Sequence, residues 1–322
     1  MVLRYIDLFA GIGGMRIPFD ELGYQCVFAS EWDGRAQQTY QANFQHCPAG
    51  DITAIPSEAI PAHDVLLAGF PCQAFSIMGH QRGFEDTRGT LFFEVARILA
   101  YHRPRAFLLE NVKQLQTHDQ GRTFATILAT LRQLGYAVKY AVLNALDFGL
   151  PQKRERTIIV GFLDAALTGY FSLEFAAQPY SLAALLEPEA SIPQEVFASP
   201  AIQQKRQRAV EGKKRLSPSV WHENKGGSVS IHDYSCALRA NASYNYLLVD
   251  GRRRFTCREL LRLQGFPEWF RVVVSPAQLR RQVGNSVPVP MIRAVAKRID
   301  RCLMGDSPYE NAEAAGRATH RG

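Results

Sequence analysis

A cysteine stands directly after a short apolar run in the first third of the sequence. Val65-Leu66-Leu67-Ala68 is typical of a buried strand, and Gly69-Phe70-Pro71-Cys72 follows it. Open α/β sheets bind their ligands beyond the carboxyl ends of strands, which is where Cys72 would lie. Pro71 restricts its own backbone, so the thiol is expected on a stiff turn. The position indicates a nucleophile, although a lone cysteine is more often a small buried hydrophobic residue.

Two carboxylates follow other apolar runs. Glu110 closes one run, and Glu31 ends another, twenty positions after Gly11. If these runs are parallel strands, both carboxylates share one sheet edge with Cys72. A carboxylic acid there can donate a proton in catalysis, and a carboxylate can bind the hydroxyls of a ribose. Either residue could also simply begin a loop.

Closely spaced glycines follow the first apolar run. In Ala10-Gly11-Ile12-Gly13-Gly14 they can form a turn between a strand and a helix, where backbone approaches a ligand. Together with Glu31, which follows Gly11 by twenty positions, the pattern indicates a cofactor that contains a nucleoside. A plain tight turn also needs glycines. Asp51 could accept a hydrogen bond from an adenine amino group, or serve as a cap or turn residue.

Arg154 and Arg156 alternate immediately before the apolar run Thr157–Gly161. In a strand this spacing directs both side chains to one side, and their planar guanidinium groups can bind a base carbonyl or phosphate oxygens. A solvent-exposed basic turn is the alternative. The polar segment Gly79–Gly89 is either a mobile lid over the site or an ordinary solvated loop, and its composition does not separate the two.

The elements that must position these residues alternate between strands and helices as far as about Leu163, which predicts an α/β fold. Beyond it, several prolines and the basic stretch Gln203–Arg215 mark a boundary. The segment Asn224–Leu248 suits a small β-module with polar loops. Gln282–Pro288 is expected to begin a helix with one apolar stripe. The stripe consists of Ile292, Val295, Ile299 and Cys302.

The length of 322 residues is consistent with about two domains. We expect a catalytic and cofactor-binding domain of residues 1–185 plus 283–304, a second and mainly β domain of residues 186–282, and a disordered tail of residues 305–322. The net charge of +7 is weak support for a polyanionic partner.

Composition excludes several classes of protein. The six cysteines form no CxxC pair, which argues against a zinc ribbon and a small disulfide scaffold, so no metal site is predicted. No apolar run reaches the length that spans a membrane, and the first residues lack a signal-peptide pattern. We therefore expect a cytoplasmic protein without a membrane partner.

Six blocks of the sequence resemble the cytosine-5 DNA methyltransferase family, in that family's order and as far as about Leu303. The blocks are Asp7–Gly14, Gly69–Ser76, Glu110–Val112, Gln152–Arg156, Arg258–Pro267 and Gly284–Ser286. The resemblance is closest to small bacterial restriction-modification enzymes. It implies a Rossmann-like, S-adenosylmethionine-dependent methyltransferase domain with a smaller, mainly β target-recognition domain. Cys236-Ala237-Leu238 departs from the family, which usually has a threonine before the leucine, and this puts one backbone contact in doubt.

The resemblance implies a role for each candidate residue. Cys72 would attack C6 of a cytosine rotated out of the duplex, while Glu110 supports N3. Arg156 would hold O2, with Arg154 bracing the site. The residues expected around the cofactor are Phe9, Gly11, Ile12, Gly13, Gly14, Glu31, Trp32, Asp51, Ile52, Pro71, Leu91, Asn285 and Ser286. The implied partners are double-stranded DNA and a restriction endonuclease that acts on the same site, and the enzyme is expected to be a monomer.

The residues expected to contact DNA are Gln73, Ser76, Arg82, Arg88, Arg239 and Asn241. Arg239 and Asn241 are the best candidates for reading bases, because arginine can bridge O6 and N7 of guanine and asparagine can bridge adenine. A basic run would instead contact phosphates or remain solvated. It contains Lys205, Arg206, Lys213 and Lys214.

Three other functions share part of this pattern. A tRNA cytosine-5 methyltransferase shares the catalytic blocks, but its cysteine block usually continues with Pro-Phe-Thr where this chain has Ala74-Phe75-Ser76. A non-catalytic DNA-binding relative would have lost the cysteine or the glutamate, and both are present. A dehydrogenase, suggested by the glycine turn alone, leaves Cys72 and Glu110 unexplained.

Overall fold

A mixed six-stranded sheet forms the centre of the protein, in a computed structural model that describes residues 2–71 and 91–305. Its strands are β1 (Arg4–Leu8), β2 (Gln25–Ser30), β3 (Val65–Ala68), β4 (Ala106–Val112), β5 (Ala137–Asn144) and β7 (Glu155–Phe162), with the short strand β6 (Gln152–Lys153) just before β7. The order across the sheet is β2-β1-β3-β4-β7-β5. The chain thus winds from β1 first to one side and then to the other.

One strand of the sheet runs opposite to the others. β1 to β4 are parallel, whereas β7 runs antiparallel to both of its neighbours, β4 and β5. Antiparallel pairing places the beginning of β7 beside the end of β4, where Val112 stands opposite Arg156. The residues that open β7 therefore lie at the same edge as the carboxyl ends of the parallel strands.

Helices cover both faces of the sheet. The described helices of the chain are α1 (Arg16–Glu21), α2 (Gly34–Phe44), α3 (Leu91–His102), α4 (Arg122–Gln133), α5 (Leu167–Tyr170), α6 (Leu182–Leu185), α7 (Pro200–Ala209), α8 (Cys257–Leu263), α9 (Pro276–Asn285) and α10 (Val289–Met304). Val65 and Leu67 of β3 share a core cluster with α10, whereas Leu66 and Ala68 share one with α3 and α4. Because both faces are covered, β3 is apolar and buried at every position.

A second, smaller β-module follows α7. It contains β8 (Val220–Glu223), β9 (Val229–His232) and β11 (Leu247–Val249), paired antiparallel in the order β11-β8-β9. The intervening strand β10 (Ser235–Cys236) instead pairs in parallel with β6. This pairing connects the smaller module directly to the chain segment that leads into β7.

The segment Gln282–Pro288 does not begin a helix, contrary to the prediction. Its first residues end α9 at Asn285, Ser286 is extended with ψ 177°, and α10 begins at Val289. The reason is Pro288, which disfavours helical backbone at the residue before it and is itself well suited to stand at a helix start. The predicted apolar stripe is present on α10. All four of its residues, Ile292, Val295, Ile299 and Cys302, are buried.

No break in packing separates the two expected domains in the described part of the chain. One core cluster includes Ile12 and Ile17 from the N-terminal part together with Leu260, Phe266 and Val283. The boundaries near 185 and 283 therefore stay a prediction. Among the described helices, none has the length and apolar character required to cross a bilayer. The described residues also contain no group of three or more His, Cys, Asp or Glu side chains placed to bind a metal ion.

Candidate active site

A cavity of about 570 Å³ lies at the carboxyl edge of the sheet, beside the ends of β1, β2, β3 and β4. Its walls come from the turns that follow these strands and from α9. The strand order reverses about β1 at this point, and doubly wound sheets bind their ligands at such a reversal. The fold therefore provides one site that all four strand ends can reach.

Ten of the residues predicted around the cofactor line this cavity. They are Phe9, Gly11, Ile12, Glu31, Trp32, Asp51, Ile52, Pro71, Leu91 and Asn285. Gly13, Gly14 and Ser286 are not among the lining residues. A Cβ on Gly13 would come 2.2 Å from the Phe44 ring, and one on Gly14 would come 2.7 Å from Ser286 Oγ. Close packing of the turn is therefore one reason for glycine at these two positions, and their contact with the cofactor stays a prediction.

Glu31 is held by backbone amides at the end of β2. Its Oε2 accepts a hydrogen bond from Gly11 N at 2.8 Å, and its Oε1 accepts one from Asp33 N at 2.8 Å. Burial raises the pKa of the Glu31 carboxyl above its ordinary value. Each carboxylate oxygen keeps a further lone pair. A fixed carboxylate with unused acceptor capacity suits a ligand with two neighbouring hydroxyls.

Two further residues complete this wall. Trp32 is 79% exposed although it lines the cavity, so the face of a large aromatic ring is free to stack on a flat group. Asp51 caps a short helical turn by accepting from Thr53 N at 2.9 Å through Oδ1. Its second carboxylate oxygen remains able to accept from an amino group. The wall therefore fits a nucleoside, with the sugar at Glu31 and the base between Trp32 and Asp51.

Glu110 and Arg156 form a buried ion pair on the other side of the cavity. Arg156 Nε lies 2.7 Å from Glu110 Oε1, and the two side chains are only 13% and 10% exposed. The pair forms because β4 ends where the antiparallel β7 begins. Burial raises the pKa of the Glu110 carboxyl, while Arg156 and Arg154 act in the opposite direction. A carboxyl group with a raised pKa can hold a proton and deliver it to a ligand.

Arg154 lines the cavity but contacts main chain rather than the ion pair. Its Nη1 donates to Leu238 O at 2.9 Å, and its Nη2 donates to Gly284 O at 3.0 Å and to Ser286 O. Burial lowers the pKa of Arg154 to about 9, so the group remains charged at neutral pH. Arg154 and Arg156 therefore have different surroundings, although the sequence predicts that both point to one side.

Asn111 is a site residue whose role the sequence did not reveal. Its side chain is buried, and its Nδ2 donates to Phe70 O at 2.9 Å. Its Oδ1 accepts from Val112 N at 2.8 Å. The amide thereby ties the end of β4 to the backbone just before Pro71. The available signal was an amide near the end of a mostly apolar strand, since a buried polar group needs a partner.

The sequence analysis also does not predict that a polar face of α9 lines the cavity. Gln278, Arg281 and Gln282 line the cavity together with Asn285. Their spacing of three and four residues is the signal, because it places them on one helix face. Gln282 also joins α9 to α2, since its Nε2 donates to Arg35 O at 2.8 Å.

The predicted base-reading residues lie on an exposed loop of residues 237–246, which we call the reading loop. Arg239 and Asn241 are both exposed. The Arg239 guanidinium lies 4.8 Å from the centre of the Tyr246 ring, a distance at which cation and ring attract each other. Arg280 supports the loop by donating from Nη1 to the carbonyl oxygens of residues 242 and 243, each at 3.2 Å. The loop is therefore held in shape while its tip stays accessible.

One residue of the basic run cannot contact phosphates. Arg206 is 2% exposed, and its Nη2 donates at 2.7 Å both to Glu223 Oε2 and to Asn245 O. A buried arginine needs such partners, and these partners come from β8 and the reading loop, which no local sequence pattern reveals. Lys205, Lys213 and Lys214 are exposed.

Five predicted site residues lie outside the described residues. They are Cys72, Gln73, Ser76, Arg82 and Arg88, together with the predicted lid Gly79–Gly89. The predicted tail also lies there, apart from Gly305, which ends α10 with φ 81°.

The sequence is similar to a family of known proteins along most of its length. The family model "C-5 cytosine-specific DNA methylase" matches residues 3–301. The chain is 56% identical to Type II methyltransferase M.NgoBI of Neisseria gonorrhoeae over 294 residues, 91% of this chain and 92% of the relative. It is 53% identical to Type II methyltransferase M.HaeII of Haemophilus aegyptius, over 91% of both chains.

Solved structures share the fold. A DNMT2 variant of Spodoptera frugiperda aligns with a TM-score of 0.70 at 19% identity, covering 92% of this chain and 99% of that one. A putative DNA modification methyltransferase from an Escherichia coli prophage aligns with a TM-score of 0.71 at 22% identity, covering 94% and 99%. These likenesses confirm the predicted Rossmann-like α/β fold.

Proposed function

This chain belongs to the C-5 cytosine-specific DNA methylase family, and we propose that its methyl donor is S-adenosylmethionine, bound in the cavity at the carboxyl edge of the sheet. The chain is a DNA (cytosine-5)-methyltransferase of the restriction-modification type. The observation that carries the proposal is the arrangement of two walls around one cavity. Glu31 and Trp32 line the cofactor side, and the Glu110–Arg156 pair lines the other.

The proposed chemistry begins with activation of the base. C5 of cytosine is a poor nucleophile, so the Cys72 thiolate adds to C6 and makes C5 an enamine carbon. Electron density then moves towards N3 and O2. Protonated Glu110 donates to N3 and Arg156 donates to O2, which stabilises the adduct. Loss of the C5 proton and of the thiolate after methyl transfer restores the aromatic ring.

The donor supplies an electrophilic methyl group on a sulfonium sulfur. This chain's residues hold it: Glu31 would accept from both ribose hydroxyls, Asp51 from the adenine amino group, and Trp32 would stack on the adenine. The fit is supported by the unused acceptor capacity of Glu31 and by the exposed ring of Trp32. Asn285 would close the site from α9.

We expect Glu31→Ala to weaken S-adenosylmethionine binding by about a hundredfold, because each charge-assisted hydrogen bond contributes roughly 1.5–3 kcal/mol. Titration calorimetry measures the affinity. DNA binding should change little. Glu58→Ala is the matched control, since it makes the same substitution at an exposed glutamate that does not line the cavity. Equal donor affinity in Glu31→Ala and the wild type would refute the ribose assignment.

Sequence choice is proposed to lie in residues 186–282, with residues 1–185 and 283–304 forming the catalytic part. We expect Arg239→Ala to relax the methylated motif at one position, because a bidentate contact to guanine gives about 1–3 kcal/mol of discrimination. Combined Lys213→Ala and Lys214→Ala should instead weaken binding to all sequences and flatten its salt dependence. Bisulfite sequencing of host DNA reads the motif, and titration of DNA binding at several salt concentrations reads the affinity and its salt dependence. An unchanged motif in both Arg239→Ala and Asn241→Ala would place base reading elsewhere.

The remaining partners follow from this function. A restriction endonuclease cutting the same site, action as a monomer, and a cytoplasmic location stay proposals. The direct test of the function is incubation of the protein with labelled S-adenosylmethionine and either duplex DNA or tRNA. Label should enter duplex DNA, and bisulfite sequencing should then show one short motif. Label in tRNA alone would contradict the proposal.

A further inference from the structure

Leu238 is the second residue of the reading loop. Its backbone N–H and its carbonyl oxygen both form hydrogen bonds to side chains of the segment before β7. Leu238 N donates to Gln152 Oε1 at 3.1 Å, and Leu238 O accepts from Arg154 Nη1 at 2.9 Å. Gln152 is 0% exposed and Arg154 is 1% exposed. Since both side chains are buried, these contacts satisfy groups that would otherwise lack partners.

The same segment continues to the catalytic ion pair. Gln152, Arg154 and Arg156 follow one another at two-residue spacing, and Arg156 Nε lies 2.7 Å from Glu110 Oε1. A short run of backbone thus carries two contacts to the reading loop and one contact to the proposed acid. A shift of this backbone changes all three contacts together.

The end of α9 belongs to the same buried unit. Arg154 Nη2 donates to Gly284 O at 3.0 Å. Gly284 packs against the reading loop so closely that a Cβ there would lie 2.5 Å from Ala240 N. Its neighbour Asn285 lines the cavity. Movement of the loop therefore reaches the cavity by two routes, through the segment before β7 and through α9.

The unit has little room for gradual adjustment. Arg154 Nε is buried without a partner in the described part of the chain, so the guanidinium already lacks one acceptor. Withdrawing Leu238 O would remove another, and a buried charge that loses a partner is strongly destabilised. The contacts of Leu238 are therefore either made or broken.

We propose that Gln152 and Arg154 are positioning residues that couple base reading by the reading loop to the Glu110–Arg156 pair. The inference rests on the proposed placement of base reading in this loop. A wrong base pair that displaces the loop draws Leu238 away from Gln152 and Arg154. Glu110 and Arg156 then lose their alignment. The enzyme discriminates between sequences in the rate of methyl transfer as well as in affinity.

The test compares two DNA duplexes, one with the motif mapped by bisulfite sequencing and one with a single base pair changed outside the target cytosine. Single-turnover rate constants are measured with enzyme and S-adenosylmethionine saturating. In Gln152→Met and in Arg154→Lys, we expect the rate constant on the mapped motif to fall about tenfold, the effect of losing one or two hydrogen bonds. On the changed duplex it should hardly alter, so the ratio of the two falls about tenfold.

Asn43→Ala is the matched control. Asn43 also holds both backbone groups of one residue in the other part of the chain: its Nδ2 donates to Arg271 O at 3.1 Å, and its Oδ1 accepts from Arg271 N at 2.7 Å. It does so from α2, away from the segment before β7. Its loss should leave the ratio of rate constants unchanged.

Equal reduction on both duplexes would show a purely structural role and overturn the proposal. So would a wild type that transfers to both duplexes at the same saturated rate. Partial unfolding lowers the amplitude of a single turnover and leaves its rate constant intact, so the ratio stays measurable. Arg154→Lys keeps the charge and is the milder variant. If its ratio of rate constants on the two duplexes equals that of the wild type, the coupling is rejected. Failure of the wild type to methylate any motif would instead refute the proposed function.

Discussion

Cys72→Ala is expected to lower methyl transfer by about 10⁴-fold or more, because a covalent nucleophile cannot be replaced by binding alone. Without the thiolate, C5 of the cytosine is not activated. Donor binding should be nearly unchanged, since the residues proposed to hold the donor are Glu31, Trp32 and Asp51. The rate is measured by transfer of a labelled methyl group to duplex DNA.

A trapping experiment separates this effect from a folding defect. DNA with 5-fluorocytosine at the target should form a covalent adduct with the wild type, because the C5 fluorine blocks the final elimination. Cys72→Ala should form none. Cys47→Ala removes an exposed cysteine and should behave as the wild type. Substantial turnover by Cys72→Ala would refute the covalent mechanism.

Glu110→Gln is expected to lower transfer by about 10²–10⁴-fold, the usual contribution of a positioned general acid. Glutamine keeps the shape of the side chain but cannot give N3 a proton. Glu155→Gln is the control, because Glu155 neighbours Arg156 and pairs with Lys113 at 2.8 Å at the surface. Wild-type activity in Glu110→Gln would remove Glu110 from the mechanism.

The pH dependence gives a second measure of the same group. Burial raises the pKa of Glu110, so the acid loses its proton only as the pH rises through that elevated value. The transfer rate of the wild type should therefore fall on the alkaline side. The residual rate of Glu110→Gln should lack this fall. Burial also raises the pKa of Asp7, to about 8, so Asp7→Asn should be measured beside Glu110→Gln and should keep the alkaline fall.

The sequence was sufficient to place Glu31, Pro71 and Glu110 at one sheet edge. Each follows a short apolar run, and parallel strands end together. The same reasoning could not place Arg156, because an apolar run does not reveal whether its strand is parallel or antiparallel. Only the reversed direction of β7 brings Arg156 to Glu110. The ion pair is thus a product of sheet topology.

The sequence also could not predict contacts between residues that lie far apart along the chain. Arg206 stands in a run of basic residues, yet Glu223 and Asn245 bury it. The sequence assigns Gly13 to a turn beside a ligand, and it does not show that Phe44, thirty-one positions further along, leaves no room for a Cβ there. In each case the deciding neighbour is distant in sequence, so no local pattern contains it.

The position of α9 has a consequence for how the enzyme is made. The glycine turn, Glu31 and the Glu110–Arg156 pair all leave the ribosome before α9, which forms the opposite wall of the cavity. Domains fold as units while the chain is being synthesised, so a partial product carries an open half-site. Chains released early by stalled ribosomes or cut by proteases should therefore methylate no DNA. In a cell that has newly acquired this gene, we expect methylation of the genome to start with finished molecules only.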